Sequence, residues 1–360
     1  AKMGEVLTNS QIGGRRNIVI NGAMQVAQRA TSSTDIGGSS GYFTCDRWHM
    51  SPSGTAGRLT MTQDSSAPSG FANSIKLDCT TADTSIASSE FLLFTHKFEG
   101  QDVQSFAKGT SDAKQFSLSF YVKGNASATY VAELMDEDNS NRHVNKSFSV
   151  TTNWTRVELL FPADTTGTLD DDNALSLSLN IWLHAGSDFT SGSLQTTWGA
   201  LSQTSRAVGI SSFFSSTDNT FFITGVQLEV GNQATPFEHR SFGEELALCQ
   251  RYYYKLINDS DADSFATGSN NTTTTSEHSI IFAQTMRANP TAIETTGTAG
   301  DYKISTGGST TTCNAVPTFV RASFHTAYFR SNVSSGLTIG DASLLRAIGS
   351  DVYLAWSAEL

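Results

Sequence analysis

The chain has 360 residues, 38% of them hydrophobic and 16% charged, with a formal charge of −11. That length suits two domains, each able to bury a core. The acidic balance excludes a duplex nucleic-acid binder, which needs a basic stripe to displace counterions, and no run approaches the roughly 18 unbroken apolar residues of a membrane span.

The opening "AKMGEVLTNSQIGGRRN" is polar and carries no charged–apolar–small leader pattern. Residues 1–16 read as a flexible or docking arm. Beyond them, period-two alternation dominates. In "QFSLSFYVKG", Phe116, Leu118, Phe120 and Val122 share one face, and Ser117, Ser119, Tyr121 and Lys123 share the other. Val157, Leu159 and Phe161 repeat the pattern. In "ALSLSLNIWLHAG", Leu175, Leu177, Leu179, Ile181 and Leu183 oppose Ser176, Ser178, Asn180, Trp182 and His184. Val226, Leu228 and Val230 alternate likewise. Turn signals such as "KGNAS", "DEDNSN" and "PADTTGTLDDDN" separate these runs. Many half-buried strands without strand–helix alternation predict an all-β jelly roll or β-sandwich over residues 17–240.

A helix is expected next, over residues 241–256. Ser241 and Glu244 have the spacing of a reciprocal capping box. Glu244 and Glu245 sit at the positive end of the helix dipole, with Arg251 and Lys255 toward the other end. Leu246, Cys249 and Tyr253, with Tyr252 and Leu256 beside them, form an apolar stripe. The helix reads as a linking element before a second β-sandwich over residues 257–360. That domain opens with a loop-rich stretch, "DSDADSFATGSNNTTTTSEH". Strands are then expected at 279–284, 302–305, 319–328, 337–339 and 351–356. An apolar strand at the chain's end (Val352, Leu354, Trp356) implies attachment to a sheet or a subunit interface.

Aromatics on the polar faces are the first functional candidates. If the strands share a sheet, Tyr121, Trp182 and His184 lie on its solvent face with Gln227 and Glu229. Flat rings beside amides and carboxylates suit a glycan, whose C–H faces stack and whose hydroxyls need partners. The same rings would alternatively pack beneath a loop, the helix or a neighbouring subunit. The acidic run beginning at Asp136 lacks the Gly and the bidentate Glu of an EF-hand loop, and with "LDDDN" reads as a solvated turn. The four cysteines have no metal-site spacing, and Cys45–Cys79 is the one disulfide considered. No metal or other cofactor is therefore expected, a motif-free structural calcium aside. No HExxH or P-loop occurs, which points to binding and away from catalysis.

Three long segments, "RRNIVINGAMQVAQRA", "YFTCDRW" and "ITGVQLEVGNQATPFEHRSFGEELALCQRYY", occur in that order, and "YLAWSAEL" closes the chain. Together they resemble tail-fibre-like virion proteins of tailed, often marine, bacteriophages. The resemblance implies a first domain similar to carbohydrate-binding jelly rolls and a non-enzymatic component of the tail or capsid surface. It further implies a homotrimer that meets other virion proteins through the N-terminal arm and binds host-surface polysaccharide. It carries over no catalytic residue. Sixteen residues precede "NIVING", where tail fibres have a shaft. The chain is then either a distal fragment of a longer fibre or a short appendage attached through its N-terminal arm, and the second case opens the alternative of a head-decorating fibre or tail-tip adaptor without specific glycan binding.

Overall fold

The computed structural model describes residues 16–259 and 263–360. Apart from Arg16, the expected docking arm lies outside the described residues. The chain divides into two compact units, one running to Glu245 and including Leu360, the other from Leu246 to Glu359. Both are all-β.

The first unit is a jelly-roll sandwich of two six-stranded antiparallel sheets. Sheet 1 runs, in spatial order, Ser32–Ile36, Arg58–Asp64, Ser74–Thr81, Thr220–Val230, Phe116–Gly124 and Thr155–Phe161. Sheet 2 runs Gly41–Tyr42, Trp48–Ser53, Phe91–Glu99, Leu175–Ala185, Ala128–Asp136 and Arg142–Val150. The chain crosses repeatedly between sheets, so the apolar face of each strand meets its counterpart. Leu228, Leu118 and Leu159 form one cross-strand row, and Val230, Phe116 and Phe161 another. On sheet 2, Leu177, Leu179, Ile181 and Leu183 point into the same core. Each fully buried side chain of this size contributes about 1.5–3 kcal/mol. A one-residue slip would turn every one of them to the outside, so burial fixes the register.

Gly225 changes the phase of its strand. Pairing to Phe116–Gly124 jumps from Thr224 to Gln227, a bulge with Gly225 at φ +63°. Ile223 therefore points inward before the bulge and Val226 and Leu228 after it. A Cβ at Gly225 would lie 2.7 Å from the Phe71 ring, so only glycine fits.

The segments that carry the family resemblance meet in space. Asn17 accepts from the Val19 and Leu228 amides at 3.0 and 3.1 Å and donates to the Val226 carbonyl at 3.1 Å. Asn21 donates to the Val26 and Asp46 carbonyls at 2.8 and 2.9 Å, and its own carbonyl accepts from Trp48 Nε1 at 3.1 Å. The Glu238 carboxylate accepts from the Arg16 and Asn17 amides, and Arg240 donates to the Val19 carbonyl at 3.1 Å. A Cβ at Gly22 would lie 2.1 Å from the Val226 carbonyl oxygen. These motifs form a structural clasp whose amides satisfy backbone that would otherwise be buried unpaired.

The helix is shorter than expected, Phe242–Gln250. Its capping box is present: Ser241 donates to the Glu244 carboxylate from N and Oγ at 2.9 and 2.8 Å, and Glu244 N donates back at 3.3 Å. Tyr253–Ile257 is instead a strand paired with Tyr353–Ser357. The aromatic run from Tyr252 favours extended backbone, so Arg251 and Lys255 do not serve the helix dipole.

In the second unit, Tyr353–Ser357 lies between Tyr253–Ile257 and Glu294–Thr295 in a three-stranded sheet. A seven-stranded sheet orders Ser309–Thr312, Tyr302–Thr306, Ala342–Ala347, Ser264–Asn270, Thr275–Ile281, Thr326–Asn332 and Thr318–Ala322. Leu354 and Trp356 are fully buried with Tyr302, Phe329 and Leu345. The expected loop-rich entry contains the strand Ser264–Asn270, joined by the exposed Asn271–Thr274 turn to Thr275–Ile281. The run at 319–328 is two strands, and 337–339 lies outside any strand. Gly336 and Gly340 at φ +99° and +87° flank that segment and turn the chain.

Candidate functional site

The five residues singled out from the sequence lie on two different sheets. Trp182 and His184 belong to sheet 2; Tyr121, Gln227 and Glu229 belong to sheet 1. Trp182 and the sheet 1 residues point to opposite outer sides of the sandwich, while His184, past a register shift in its strand, packs against Phe214 of the inter-sheet core, so no single platform unites them.

Residues 186–215 cover the outer side of sheet 2. Phe189 and Ala207 pack on Leu93, Val131 and Trp182. Trp182 is fully buried, with the Phe189 ring 5.1 Å away and the Arg206 guanidinium 4.7 Å from its ring centre. At the centre lies Glu133. It accepts from Arg206 Nε and Nη2 at 2.8 Å each, from Asn180 Nδ2 at 3.0 Å and from Trp182 Nε1 at 3.2 Å. His143 Nδ1 adds a contact at 3.2 Å, while its Nε2 accepts from the Ser202 amide. Burial opposes ionisation of Glu133, but the Arg206 charge, followed by hydrogen bonds from Arg206 and His143, holds its carboxyl down at about 2. Trp182 therefore anchors the cover and offers no free face for stacking.

The segment 232–240 covers part of the outer side of sheet 1. Glu229 accepts from Thr235 N at 2.9 Å and Oγ1 at 2.8 Å. Gln227 donates to Glu229 at 2.9 Å and accepts from the Glu238 amide at 2.8 Å. Both are buried, which removes them from the expected solvent face. Tyr121 stays half-buried, its ring 5.4 Å from Phe71, which in turn packs against Phe237. Of the acidic runs, Asp136 is no solvated turn. It is buried in an ion pair with Lys108 and accepts from the Asp138 and Asn139 amides. Asp170 is exposed, its carboxyl pushed up chiefly by the Asp138 charge. Cys45 and Cys79 are buried thiols, not a disulfide.

Beyond Tyr121, sheet 1 keeps an accessible patch. Trp154 and Phe222 are half-buried with ring centres 6.1 Å apart. Lys123 Nζ lies 4.5 Å from the Phe222 centre and 5.2 Å from that of Trp154. Two residues before Phe222 on the same strand, Thr220 lines a pocket of about 180 Å³ with Asn125, Ser127, Ser211, Ser215 and Asn219; Tyr130 and Val150 form its apolar wall. Asn125 Oδ1 accepts from the Thr220 amide at 2.9 Å, and the Asn219 side chain donates to Ser215 Oγ at 3.0 Å. The pocket lining contains no charged residue. Sequence reading passed over these residues because "KGNAS" and "SSTDNT" have the composition of ordinary turns.

No protein-family model and no curated protein matches the chain. Among solved structures, the carbohydrate-binding module CBM4 is 10% identical over 59% of this chain and 98% of its own, with a TM-score of 0.33. A family 11 carbohydrate-binding module from Clostridium thermocellum, in complex with a β-1,3-1,4-mixed-linked tetrasaccharide, is 11% identical over 57% of this chain and 98% of its own, at 0.28. The enzymatically active domain of bacteriophage CBA120 tailspike protein 4 is 13% identical over 60% of this chain but 21% of its own, at 0.30. With likenesses this distant, function has to be read from the residues of this chain.

Proposed function

We propose that the protein is a bacteriophage virion component, a tail fibre or receptor-binding protein, that attaches to host-surface glycan through its first unit without catalysing a reaction. The observation that carries the reading is the uncharged hydroxyl- and amide-lined pocket near the half-exposed Trp154 and Phe222 rings. Hydroxyls and amides both donate and accept, as sugar hydroxyls do, while aromatic faces cover C–H surfaces without demanding hydrogen bonds. Assignment to a virion, at the tail or capsid surface, rests on the long segments that resemble tail-fibre-like proteins. A homotrimer would convert one shallow site into useful avidity. The second reading is a head-decorating or tail-tip structural protein without specific glycan binding; it draws on the chain's own segments covering much of both outer faces.

The test is host-cell and glycan-array binding by the full chain carrying Trp154→Ala or Asn125→Ala. Each is expected to weaken binding by roughly tenfold, the loss of about 1.4 kcal/mol of contact. Binding equal to that of the unmodified protein in both variants removes the pocket from the mechanism. Imaging of intact particles separates the two readings, since a position within the capsid lattice rejects the fibre.

A further inference from the structure

Among the described residues, Asp83, Glu90 and His184 bring three metal-ligating side chains together, with one donor atom from each lying within 4.8 Å of the others. They come from distant points of the sequence. Asp83 follows the strand Ser74–Thr81 of sheet 1, Glu90 precedes Phe91–Glu99 of sheet 2, and His184 is the penultimate residue of Leu175–Ala185. All three are more than nine-tenths buried. No spacing rule joins residues 83, 90 and 184, which is why the sequence predicted no metal.

Two enclosed atoms in this group have no hydrogen-bond partner, Glu90 Oε2 and His184 Nε2. They face one another at 3.6 Å. Polar atoms sealed from water are ordinarily paired, and 3.6 Å is too long for a direct hydrogen bond between these two, so a cation between them would satisfy both. Donors about 2.1 Å from a tetrahedral ion are about 3.4 Å apart, close to the observed separation. The surroundings match a held site. His184 Nδ1 hydrogen-bonds the Ser212 hydroxyl at 2.8 Å, which fixes the ring and leaves Nε2 for a ligand. Asp83 is oriented by the Thr55 hydroxyl and the Ala56 amide, both at 2.8 Å. A carboxylate has about four lone-pair sites, so capacity remains for a cation. Gly54 makes room, because a Cβ there would lie 3.3 Å from Glu90 Cγ.

We propose that Asp83, Glu90 and His184 bind one divalent cation of the zinc class, and that this cation ties the two sheets together at one end of the first unit. One imidazole with two carboxylates is a borderline donor set, suited to zinc rather than to calcium, which prefers six or more oxygens. The buried setting makes the site structural. The proposal is independent of the glycan reading, and no sugar enters its test.

The full chain is stripped with a chelator and titrated with zinc chloride, with metal content and calorimetry as readouts. One zinc per chain is expected, together with a rise in Tm of about 5 °C at saturating metal. Glu90→Gln and Asp83→Asn, which preserve shape, should each weaken zinc binding by about tenfold or more while keeping the β-rich circular-dichroism spectrum of the unmodified protein. Cobalt in place of zinc should give visible absorption bands that vanish in Glu90→Gln. Uptake of no zinc by the stripped protein, or equal uptake by both variants, overturns the assignment. So does nuclear magnetic resonance that finds a proton on His184 Nε2 in the presence of excess zinc.

Discussion

On the outer side of sheet 2, Trp182 is fully buried beneath residues 186–215, whereas on the outer side of sheet 1 Trp154 and Phe222 stay half-exposed beside Lys123. The difference follows from the polar residues around each ring. Glu133 sits in the middle of sheet 2, and its desolvation is tolerable only if donors surround it. Arg206 supplies two of them and its segment brings the apolar Phe189 and Ala207 with it. Once the charge is paired, Trp182 is sealed. Near Trp154 and Phe222 the cations are Lys123 and Lys76, half-buried side chains whose ammonium groups sit over the rings and donate to Ser66 Oγ and Asp78 at 2.7 and 3.0 Å, so no cover is required. An aromatic ring on a polar face therefore predicts a binding surface only where nearby charge is satisfied without a covering segment.

The largest expected effect comes from breaking the sealed side. Glu133→Gln strands the Arg206 guanidinium in a mostly buried position and should cost about 3–5 kcal/mol of stability, measured by chemical denaturation. Hydrogen exchange should locate the loosening in residues 186–215. Unchanged protection of that segment would mean that apolar contacts alone hold the cover.

Acid should act in two stages. The Glu133 carboxyl titrates near 4.5 when unfolded and near 2 in the fold. Between those values the unfolded state binds more protons, so this contribution is complete above pH 4.5 and lost as pH falls through about 2. Its size is on the order of 3 kcal/mol. In the second unit, burial lowers His278 from 6.5 to about 4. The unfolded chain takes up this proton first, so the stability is complete above pH 6.5 and lost as pH falls through about 4, with a similar magnitude. Burial, followed by the Lys97 and Arg29 charges, lowers His49 on sheet 2 of the first unit to about 4 as well, so hydrogen exchange at pH 7 and pH 4.5 should show both units weakening, with the Glu133 contribution lost only at lower pH; a first unit unchanged at pH 4.5 contradicts the assignment.

The smallest effect concerns the open side. Trp154→Ala should cost under about 1 kcal/mol of stability, as a partly exposed ring leaves little cavity, whereas Trp182→Ala should cost about 3–5 kcal/mol. Thermal unfolding of the two variants provides the comparison. Similar losses would imply that sheet 1 is covered in solution as well.

Particular elements mark how far the sequence could be read. The leucine alternation of Leu175–Ala185 and the Ser241–Glu244 capping box were legible because both depend on neighbours within a few residues. The Thr318–Ala322 and Thr326–Asn332 strands were read as one because their turn has no Gly, Pro or Asn. The Ser323 hydroxyl makes it, accepting from the His325 and Thr326 amides. The helix end was missed because the stripe continues through Tyr253 and Leu256, and only pairing with Tyr353–Ser357 reveals the change to strand.

The chain by itself determined that it is all-β, which positions face a core and where the capped helix at Phe242 begins, because a period of two and an N-cap are local geometry. Which sheet each strand joined, and so whether Tyr121 and Trp182 shared a face, was decided only by long-range pairing and by the segments that fold back over each side. The meeting of Asp83, Glu90 and His184 belongs to the same class. It arises from closure of the sandwich across about a hundred residues of sequence, which no local pattern encodes.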